Sequence, residues 1–553
     1  MVELECLPYG VGHTDEGVSL LLQMGPYRIL LDCGLETIAP LLASDTVLPA
    51  DLVLCSHAHP DHARGLLSLH RAFPQLPVYA SEVTAELLPL NWLDEPKVPR
   101  FCQALPWRSP VEFREGLSAE LIPSGHLPGA AALLLTYTTP VRDYRVLYTG
   151  DFLLSNSRLV DGFPLEEVRG LKPDVLILEG SYGTARFTHR RQQENQLAER
   201  IYRAISEGQS VLLPTPTLGV GQELLMLLRS HHHFTGRDLD IWVDGSVALG
   251  CDAYLAMLSH FPSTVQNFAR HQPLFWDERI RPHVRRLAAL EPAQVVATLN
   301  QAPCIVLTDQ HADLNRYFQT GGSNWLLLLP QQPGRLGSVE TSVMQTLEAL
   351  ETDRLLQASL QAQLTIENYL LSDHCDGAGT TQLIHNLRPQ HVVFIHGATN
   401  YLSDLTSLEE LQNRYHLHTP SAGARVALPI GETFLQPAAP EARYEGELID
   451  VETAMVISLP SGIVTDPRWQ EFADTGLVEA RWQGEELVLR GLTQRELLSQ
   501  GVDVPMGLEV ECCQNCIHCR GQRCWNQASP LYGFKVTLDG YCPVFEPVPE
   551  TEA

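Results

Sequence analysis

The stretch S-H-A-H-P-D-H at residues 56–62 constrains the fold and the chemistry of this 553-residue chain more than any other. Four of its side chains, all within six residues, can bind a metal. The stretch directly follows the apolar run L-V-L-C at 52–55. A buried strand that ends in a tight loop can direct several imidazoles at one point. Neutral imidazole nitrogens and a carboxylate oxygen are ligands that suit zinc, manganese or iron. The stretch therefore predicts a metal site at the end of a strand.

Further candidate ligands follow apolar runs elsewhere in the chain. They are Asp32 after R-I-L-L, His126 in P-S-G-H-L-P-G-A, Asp151 after V-L-Y-T-G and His396 after V-V-F-I. Because these residues follow strand signals, we expect one end of a sheet to carry them all.

The set resembles the metallo-β-lactamase fold, whose signature is an H-x-H-x-D-H loop with outlying aspartates and a histidine. The segment E-G-S-Y-G at 179–183 narrows this resemblance, because it is similar to the E-S-T-Y-G motif of the β-CASP branch. The resemblance covers roughly residues 1–435. It implies an α/β protein: an αββα sandwich with an inserted β-CASP α/β domain, followed here by a small C-terminal metal-binding module.

The domain organisation follows from the order of these motifs. We expect the metallo-β-lactamase domain in two parts, residues 1–183 and 371–436, interrupted by the β-CASP domain at 184–370. A small appended α+β module would occupy 437–505, and a Cys-rich metal-binding tail 506–553. A metal site between an interrupted domain and its insertion lies in a cleft, where ligands commonly bind.

Carried over residue by residue, the resemblance implies two divalent metal ions, zinc or else manganese. Their ligands would be His57, His59 and His126 for one ion and Asp61, His62 and His396 for the other, with Asp151 bridging. Asp32 resembles the outer carboxylate that orients a ligand histidine, and Asp32 and Asp61 also count as catalytic. Two metals ~3.5–4 Å apart can activate a water and clamp the phosphate oxygens of an in-line displacement.

Departure of the ribose oxygen also needs a proton. In the β-CASP family a histidine near the return to the first domain supplies it, oriented by the glutamate of the E-S-T-Y-G motif. By position these residues are His374 and Glu179. A carboxylate partner raises the pKa of a histidine, which suits a general acid.

The resemblance points to a ribonuclease. His396-Gly397 resembles the residues that RNA-acting members carry at this position, whereas DNA-acting members tend to carry valine there. Single-stranded RNA is therefore the expected partner in preference to DNA. The formal net charge of −28 argues against a generic nucleic-acid binder, although divalent metals can supply positive charge locally. Two alternatives stay open: a small ester or thioester hydrolase of the same fold, and a weakly active RNA-binding or regulatory protein.

Two departures from the family pattern bear on activity. The family's P-x-F-A-x-G-R-x-Q-E reads P-T-P-T-L-G-V-G-Q-E here, so Val220 stands where an arginine is expected. The usual S-x-H-A-D reads S-D-H-C-D at 372–376. Both leave the metal ligands in place, and Val220 removes a plausible phosphate contact.

The C-terminal cysteines form a separate signal. Six of the 13 cysteines lie between Cys512 and Cys542. The candidate ligands among them are Cys513, Cys516, Cys519, Cys524 and Cys542. Four thiolates suit either a tetrahedral zinc ion or an iron–sulfur cluster, so both stay open for this tail.

The sequence shows neither a secretory signal nor a membrane-spanning segment. Its first residues, M-V-E-L-E-C, lack the basic start and apolar core of a secretory signal, and no apolar run approaches ~20 residues. We therefore expect a cytoplasmic protein with no membrane partner, and a homo-oligomer is left open.

Overall fold

The computed structural model describes part of the chain. The described residues are 4–13, 16–42, 48–287, 292–312, 314–318, 324–331, 364–430, 447–451, 454–458, 477–483, 486–491, 513, 516–521, 523–527, 536 and 546. The chain divides into two compact units, Met1–Ala439 and Pro440–Ala553.

The first sheet begins with an antiparallel meander and continues with parallel strands. Its strands are β1 (Leu4–Val11), β2 (Val18–Met24), β3 (Tyr27–Leu31), β4 (Leu52–Leu54), β5 (Val78–Ser81) and β6 (Cys102–Leu105). The helices between them are α1 (Pro60–Ala63), α2 (Leu66–Ala72) and α3 (Glu82–Leu87), with short 3₁₀ helices at Ala39–Leu42 and Leu88–Asn91. β3 to β6 pair in parallel, which leaves their carboxyl ends at one edge.

The second sheet is built next along the chain. It contains β7 (Val111–Arg114), β8 (Leu117–Pro123), β9 (Ala131–Thr138), β10 (Asp143–Tyr148) and β11 (Val175–Glu179), with α4 (Leu165–Val168) before the last strand. β11 reads V-L-I-L-E and is buried along its whole length. Such a continuous apolar run is typical of a strand covered on both faces.

A third, wholly parallel sheet follows as an insertion. Its elements are α5 (Arg190–Ser206), β12 (Gln209–Thr215), α6 (Val220–Ser230), β13 (Asp240–Val243), α7 (Gly245–Ala256), α8 (Ser263–His271), β14 (His283–Arg286), α9 (Pro292–Leu299), β15 (Ile305–Asp309), α10 (Asn315–Phe318), β16 (Asn324–Pro330) and β17 (Leu364–Tyr369), with a 3₁₀ helix at Leu258–His260. The strand order is β14-β13-β15-β12-β16-β17. In sheets of this kind, ligands bind beyond the carboxyl ends of the strands.

The chain then returns and completes the first two sheets. The returning elements are α11 (Gly377–Leu387), β18 (His391–Ile395), α12 (Thr399–Thr406), α13 (Glu409–Gln412), β19 (His416–His418) and β20 (Val426–Ala427). β18 pairs in parallel with β11, whereas β20 pairs antiparallel with β1. Asp376 begins α11 by accepting a hydrogen bond from the Gly379 amide at 2.9 Å, which satisfies one of the free amides of the first turn.

The apolar cores show how these sheets are layered. Leu22 and Leu31 of the first sheet share one core with Leu133, Tyr148 and Val393 of the second, so the two sheets face each other. Separate cores hold helices against the outer face of each sheet. This αββα sandwich with an α/β insertion confirms the predicted fold class, while the predicted domain boundaries stay predictions.

The second unit is described only in part. Its strands β21 (Glu447–Val451), β22 (Ala454–Ser458), β23 (Leu477–Gln483) and β24 (Glu486–Gly491) form an antiparallel sheet, and β25 (Cys519–Arg520) and β26 (Arg523–Cys524) form a small hairpin. Among the described residues, no helix is long and apolar enough to cross a membrane.

Candidate metal centre

The predicted ligands converge at one edge of the sandwich, where strands of both sheets end. Asp32 directly follows β3, and the 56–62 stretch follows β4. Asp151 lies three residues after β10, and His396 directly follows β18. Asp32 and His396 have positive φ angles of 57° and 49°, which are uncommon for residues other than glycine and concentrate at functional sites. The turn after each strand is therefore held in a strained shape that directs its side chain inwards.

The side chains form two adjoining groups of metal-capable atoms. One group contains His57, His59, His126 and Asp151, and the other contains Asp61, His62 and His396; the ligand atoms within each lie within 4.8 Å of one another. The two carboxylate oxygens of Asp151 reach both groups, at 3.5 Å from Nε2 of His57 and 3.3 Å from Nε2 of His62. These groups match the two ligand sets that the family resemblance implies, with Asp151 between them.

A buried carboxylate sets the orientation of two of the rings. Asp32 accepts hydrogen bonds from Nδ1 of His62 at 2.7 Å, from the Ser56 hydroxyl at 2.7 Å and from the Tyr148 hydroxyl. Because the Ser56 hydroxyl donates to Asp32, it accepts the Nδ1 proton of His57 at 3.0 Å. Nδ1 of each ring is thereby occupied, and Nε2 of each ring is left to face Asp151.

His59 and His126 have unprotonated ring nitrogens that face each other. Nδ1 of His126 donates to the backbone carbonyl of Asp373 at 2.8 Å, and Nε2 of His59 donates to the Leu218 carbonyl at 3.3 Å. The remaining nitrogens, Nε2 of His126 and Nδ1 of His59, lie 3.0 Å apart. Neither has a proton to share in the neutral ring. Two lone pairs at this distance are stabilised by a cation that both can bind.

In the group of Asp61, His62 and His396, a ring nitrogen likewise faces a second electron-rich atom. The Ser181 hydroxyl donates to Glu179 and accepts the Nδ1 proton of His396 at 2.8 Å. Nε2 of His396 is then unprotonated and lies 3.1 Å from the carboxylate of Asp61. A lone pair and an anionic oxygen at this distance again favour a cation between them.

The donor set therefore fits divalent metal ions. Nε2 of His57, Nε2 of His62 and Oδ1 of Asp151 are buried without a hydrogen-bond partner in the described part of the chain. Buried polar atoms in native proteins are nearly always satisfied, and a metal would satisfy all three. Burial, together with the neighbouring His62, lowers the pKa of His57 to about 4, and burial also lowers the pKa of His59 and of His126. Those rings are consequently neutral at neutral pH, the form that binds a metal.

His374 lies beside the centre and forms a third group of metal-capable atoms with Glu179, Asp151 and His396. Its Nδ1 is 2.8 Å from Glu179, and its ring packs 4.7 Å from the ring of His126 between centroids. Glu179 is fixed in turn by the Phe152 amide at 2.7 Å. Burial disfavours the charged ring, but Glu179, Asp373 and Asp151 outweigh it and raise the pKa of His374 to about 10. The His374 side chain is 15% exposed, so the ring can meet a bound substrate.

The insertion closes one side of the centre and creates a cleft of about 380 Å³. His59 and His126 line it from the sandwich, and Val220 lines it from the first turn of α6. Arg190 is the one arginine among the described residues that line this cleft, and it lies 3.5 Å from Glu223. The cleft therefore contains no unpaired arginine in the part of the chain that is described, and Val220 supplies no replacement.

Several functional residues were not predicted from the sequence. Ser56 and Tyr148 bind Asp32, Ser181 joins Glu179 to His396, and the Asp373 carbonyl orients His126. Ser56 and Asp373 are direct neighbours of predicted residues, and Ser181 belongs to the E-G-S-Y-G segment, so their sequence position gave a signal. Tyr148 carried none beyond its place near the end of an apolar strand.

The tail cysteines are only partly described. Cys513, Cys516 and Cys524 are buried. Cys519 and Cys524 lie opposite each other in the β25–β26 hairpin. Within the described residues these sulfurs form no group of three close enough to hold a metal. Cys542, the fifth candidate, lies outside the described residues. The metal site of the tail stays a prediction.

Comparison with known proteins places the chain in a family. Residues 27–210 match the beta-lactamase superfamily domain, and residues 359–420 match the Zn-dependent metallo-hydrolase RNA specificity domain. An uncharacterized protein of Synechocystis sp. is 51% identical over 98% of this chain and 96% of its own length. Endoribonuclease YSH1 of Mycosarcoma maydis is 26% identical over 74% of this chain and 48% of its own. Cleavage and polyadenylation specificity factor 73 of Drosophila melanogaster is 23% identical over 73% of this chain and 61% of its own.

The chain thus spans about half of the endoribonuclease and about three-fifths of the cleavage and polyadenylation specificity factor. The matched domains cover both parts of the sandwich that supply the metal ligands. Together with the fold and the His/Asp groups, these matches confirm the resemblance seen in the sequence. The chain belongs to the β-CASP family of the metallo-β-lactamase superfamily of metal-dependent hydrolases.

Proposed function

We propose that the protein is a ribonuclease that hydrolyses phosphodiester bonds of single-stranded RNA, with two divalent ions at the candidate metal centre and His374 as general acid. The observation that carries this proposal is the contact of His374 with Glu179, 2.8 Å apart, directly beside the two ligand groups. A thioester hydrolase would have less need of such a pair, because a thiolate is a far less basic leaving group than a ribose oxygen.

The residues of the centre would have two roles, binding the ions and orienting the ligand rings. His57, His59, His126 and Asp151 would hold one ion, and Asp61, His62, His396 and Asp151 the other. When bound, such ions lower the pKa of a water towards ~7 and neutralise charge on the scissile phosphate. Asp32 positions His62 and, through Ser56, His57. It thereby keeps the protons of both rings away from the ligand nitrogens.

His374 would transfer a proton to the departing ribose oxygen. Glu179 contacts Nδ1 of the ring, which leaves Nε2 as the position from which a proton can reach the substrate. Glu179 would also fix the direction of the ring, because the Phe152 amide and the Ser181 hydroxyl hold its carboxylate in place. General acid catalysis of this kind contributes typically ~10²–10⁴-fold to the rate.

RNA as the substrate is supported by three observations of different kinds. The chain matches an RNA specificity domain at 359–420, two of its relatives are an endoribonuclease and a cleavage and polyadenylation factor, and His396 occupies the position of RNA-acting family members. The test is incubation of the purified full chain with matched single-stranded RNA and DNA, with zinc or manganese. Faster cleavage of RNA is expected. Equal or faster cleavage of DNA, or no cleavage of either, would contradict the proposal.

A weakly active RNA-binding protein is the second candidate, and one observation favours it. The arginine lining the cleft is paired with a glutamate, and Val220 replaces the family arginine. Single-turnover rates at saturating RNA separate the two candidates. An RNA-binding protein would bind without measurable cleavage, whereas a ribonuclease would cleave once RNA is bound.

A further inference from the structure

Helix α6 begins directly at the metal centre. The Leu218 carbonyl accepts a hydrogen bond from His59, and the next residue, Gly219, precedes the helix. Gly219 has a φ angle of 94°, which strongly favours glycine, and a Cβ built there would lie 3.8 Å from Nε2 of His59. The first turn of α6 is thus in contact with a ligand of the centre.

This turn has amide groups that need an acceptor. The amides of Gln222 and Glu223 donate to the Gly219 carbonyl, whereas those of Val220 and Gly221 have no acceptor among the residues described. No side chain caps the helix. The amides of a first helical turn carry partial positive charge and bind anions readily.

A buried hydroxyl lies at the same place. Tyr254 of α7 is fully buried and lines the cleft with Val220, yet its hydroxyl has no hydrogen-bond partner in the described part of the chain. The hydroxyl is near the Gly219 amide, although the two form no hydrogen bond of ordinary geometry. Burial raises the pKa of Tyr254, so the hydroxyl stays protonated and can donate.

The charged side chains of this cleft do not provide an alternative anion site. Arg190 donates to the Ser372 carbonyl and contacts Glu194 and Glu223. Its charge is therefore balanced within the protein. Among the described residues that line the cleft, the α6 amides and the Tyr254 hydroxyl remain as donors for an anionic substrate.

We propose that the first turn of α6 and the Tyr254 hydroxyl form an anion subsite, which binds the phosphate adjoining the scissile phosphate of single-stranded RNA. This inference rests on the proposed function. The subsite supplies by backbone amides what the family arginine supplies by a side chain. It also lies at the carboxyl end of β12, where parallel sheets of this kind bind ligands.

The first test places a charge at the start of the helix. Val220→Asp and Val220→Asn have side chains of the same size, so the buried position of Val220 affects both variants and the charge distinguishes them. Affinity for phosphorothioate single-stranded RNA, which resists cleavage, is measured by fluorescence anisotropy with the metal-loaded full chain. The Asp variant is expected to bind roughly tenfold more weakly than the Asn variant, because its carboxylate occupies the amides and repels phosphate. Equal dissociation constants would overturn the proposal.

The second test removes only the hydroxyl. Tyr254→Phe keeps the buried ring, and Tyr202→Phe is the matched control, since Tyr202 packs against His233 outside the cleft. Affinity for the same RNA should fall about three- to tenfold in Tyr254→Phe and stay unchanged in the control. If Tyr254→Phe binds as tightly as the wild type, the hydroxyl has no part in the subsite. Failure of the proposed function is seen separately, as a wild-type protein that does not cleave unmodified RNA.

Discussion

Nε2 of His126 and Nδ1 of His59 lie 3.0 Å apart, and both are the nitrogens that carry no proton in the neutral rings. Their protons are committed elsewhere, to the backbone carbonyls of Asp373 and Leu218. A metal ion converts this repulsive contact into two coordinate bonds. The sandwich and the insertion each supply one of the carbonyls, so both parts of the chain fix the metal-binding form of the pair.

Removal of the metals should therefore destabilise the fold. A ligand that binds only the folded state adds about 4 kcal/mol when its free concentration is a thousandfold above its dissociation constant. Thermal unfolding of the wild type should shift to lower temperature after chelation and recover with zinc. His59→Ala should hold fewer metal ions and respond less, with His70→Ala as a control, since His70 packs on Phe101 away from the centre. A wild type without metal and with an unchanged melting temperature would contradict this prediction.

Asp32→Asn should weaken metal binding without removing a ligand. The change keeps the size of the side chain but replaces the carboxylate that accepts the His62 and Ser56 protons. Loss of such an outer partner typically costs ~10–100-fold in metal affinity or activity. Asp51→Asn is the matched control, because the Asp51 carboxylate accepts a hydrogen bond from the Arg28 amide and contacts no residue of the centre that the structure describes. Competition with a chromogenic chelator measures the affinity. If both variants retain wild-type affinity, Asp32 does not orient the ligands.

His374→Ala should separate chemistry from metal binding. We expect the rate of RNA cleavage to fall ~10²–10⁴-fold while the metal content stays at the wild-type value. His385→Ala is the control, since His385 on α11 contacts the Tyr415 hydroxyl and its loss should leave the rate unchanged. Cleavage at the wild-type rate by His374→Ala would show that another group donates the proton.

Val220→Arg should strengthen RNA binding. The new guanidinium would enter a cleft whose arginine is already paired, and it would restore the residue that the family pattern contains. We expect roughly tenfold tighter binding of single-stranded RNA, or about 1.4 kcal/mol, with a steeper dependence on salt. Val220→Gln is similar in length and uncharged, so it controls for packing. Equal affinity of the two variants would show that RNA does not pass this side of the centre.

Cys516→Ser should test the predicted metal site of the tail. If the tail cysteines hold a metal, the variant should lose one zinc, or else visible absorbance from an iron–sulfur cluster, and protease should cut the tail earlier. Cys102→Ser is the control, because burial raises the pKa of this β6 thiol to about 12 and so disfavours the thiolate that binds a metal. A variant with the full metal content and the same protease pattern would show that the cysteines bind no metal.

The local sequence determined which residues could form the metal centre. Asp32, Asp151 and His396 all follow apolar strands, and the strands themselves are long enough and apolar enough to be recognised without a structure. The expectation that one end of a single sheet carries all of these residues was wrong, because Asp32 follows a strand of the first sheet whereas Asp151 and His396 follow strands of the second. The sandwich with an insertion was implied by the resemblance of these motifs to the metallo-β-lactamase and β-CASP pattern.

Only the tertiary structure decided how the centre is set for chemistry. Leu218 reaches His59 across 159 positions of sequence, and Ser181 reaches His396 across 215. Such contacts leave no periodic signal in the chain, because hydrophobic patterning reports which face of an element is buried and not which distant atom lies opposite. The assignment of ring protons, the pairing of Arg190 and the start of α6 beside a metal ligand all depend on contacts of this kind.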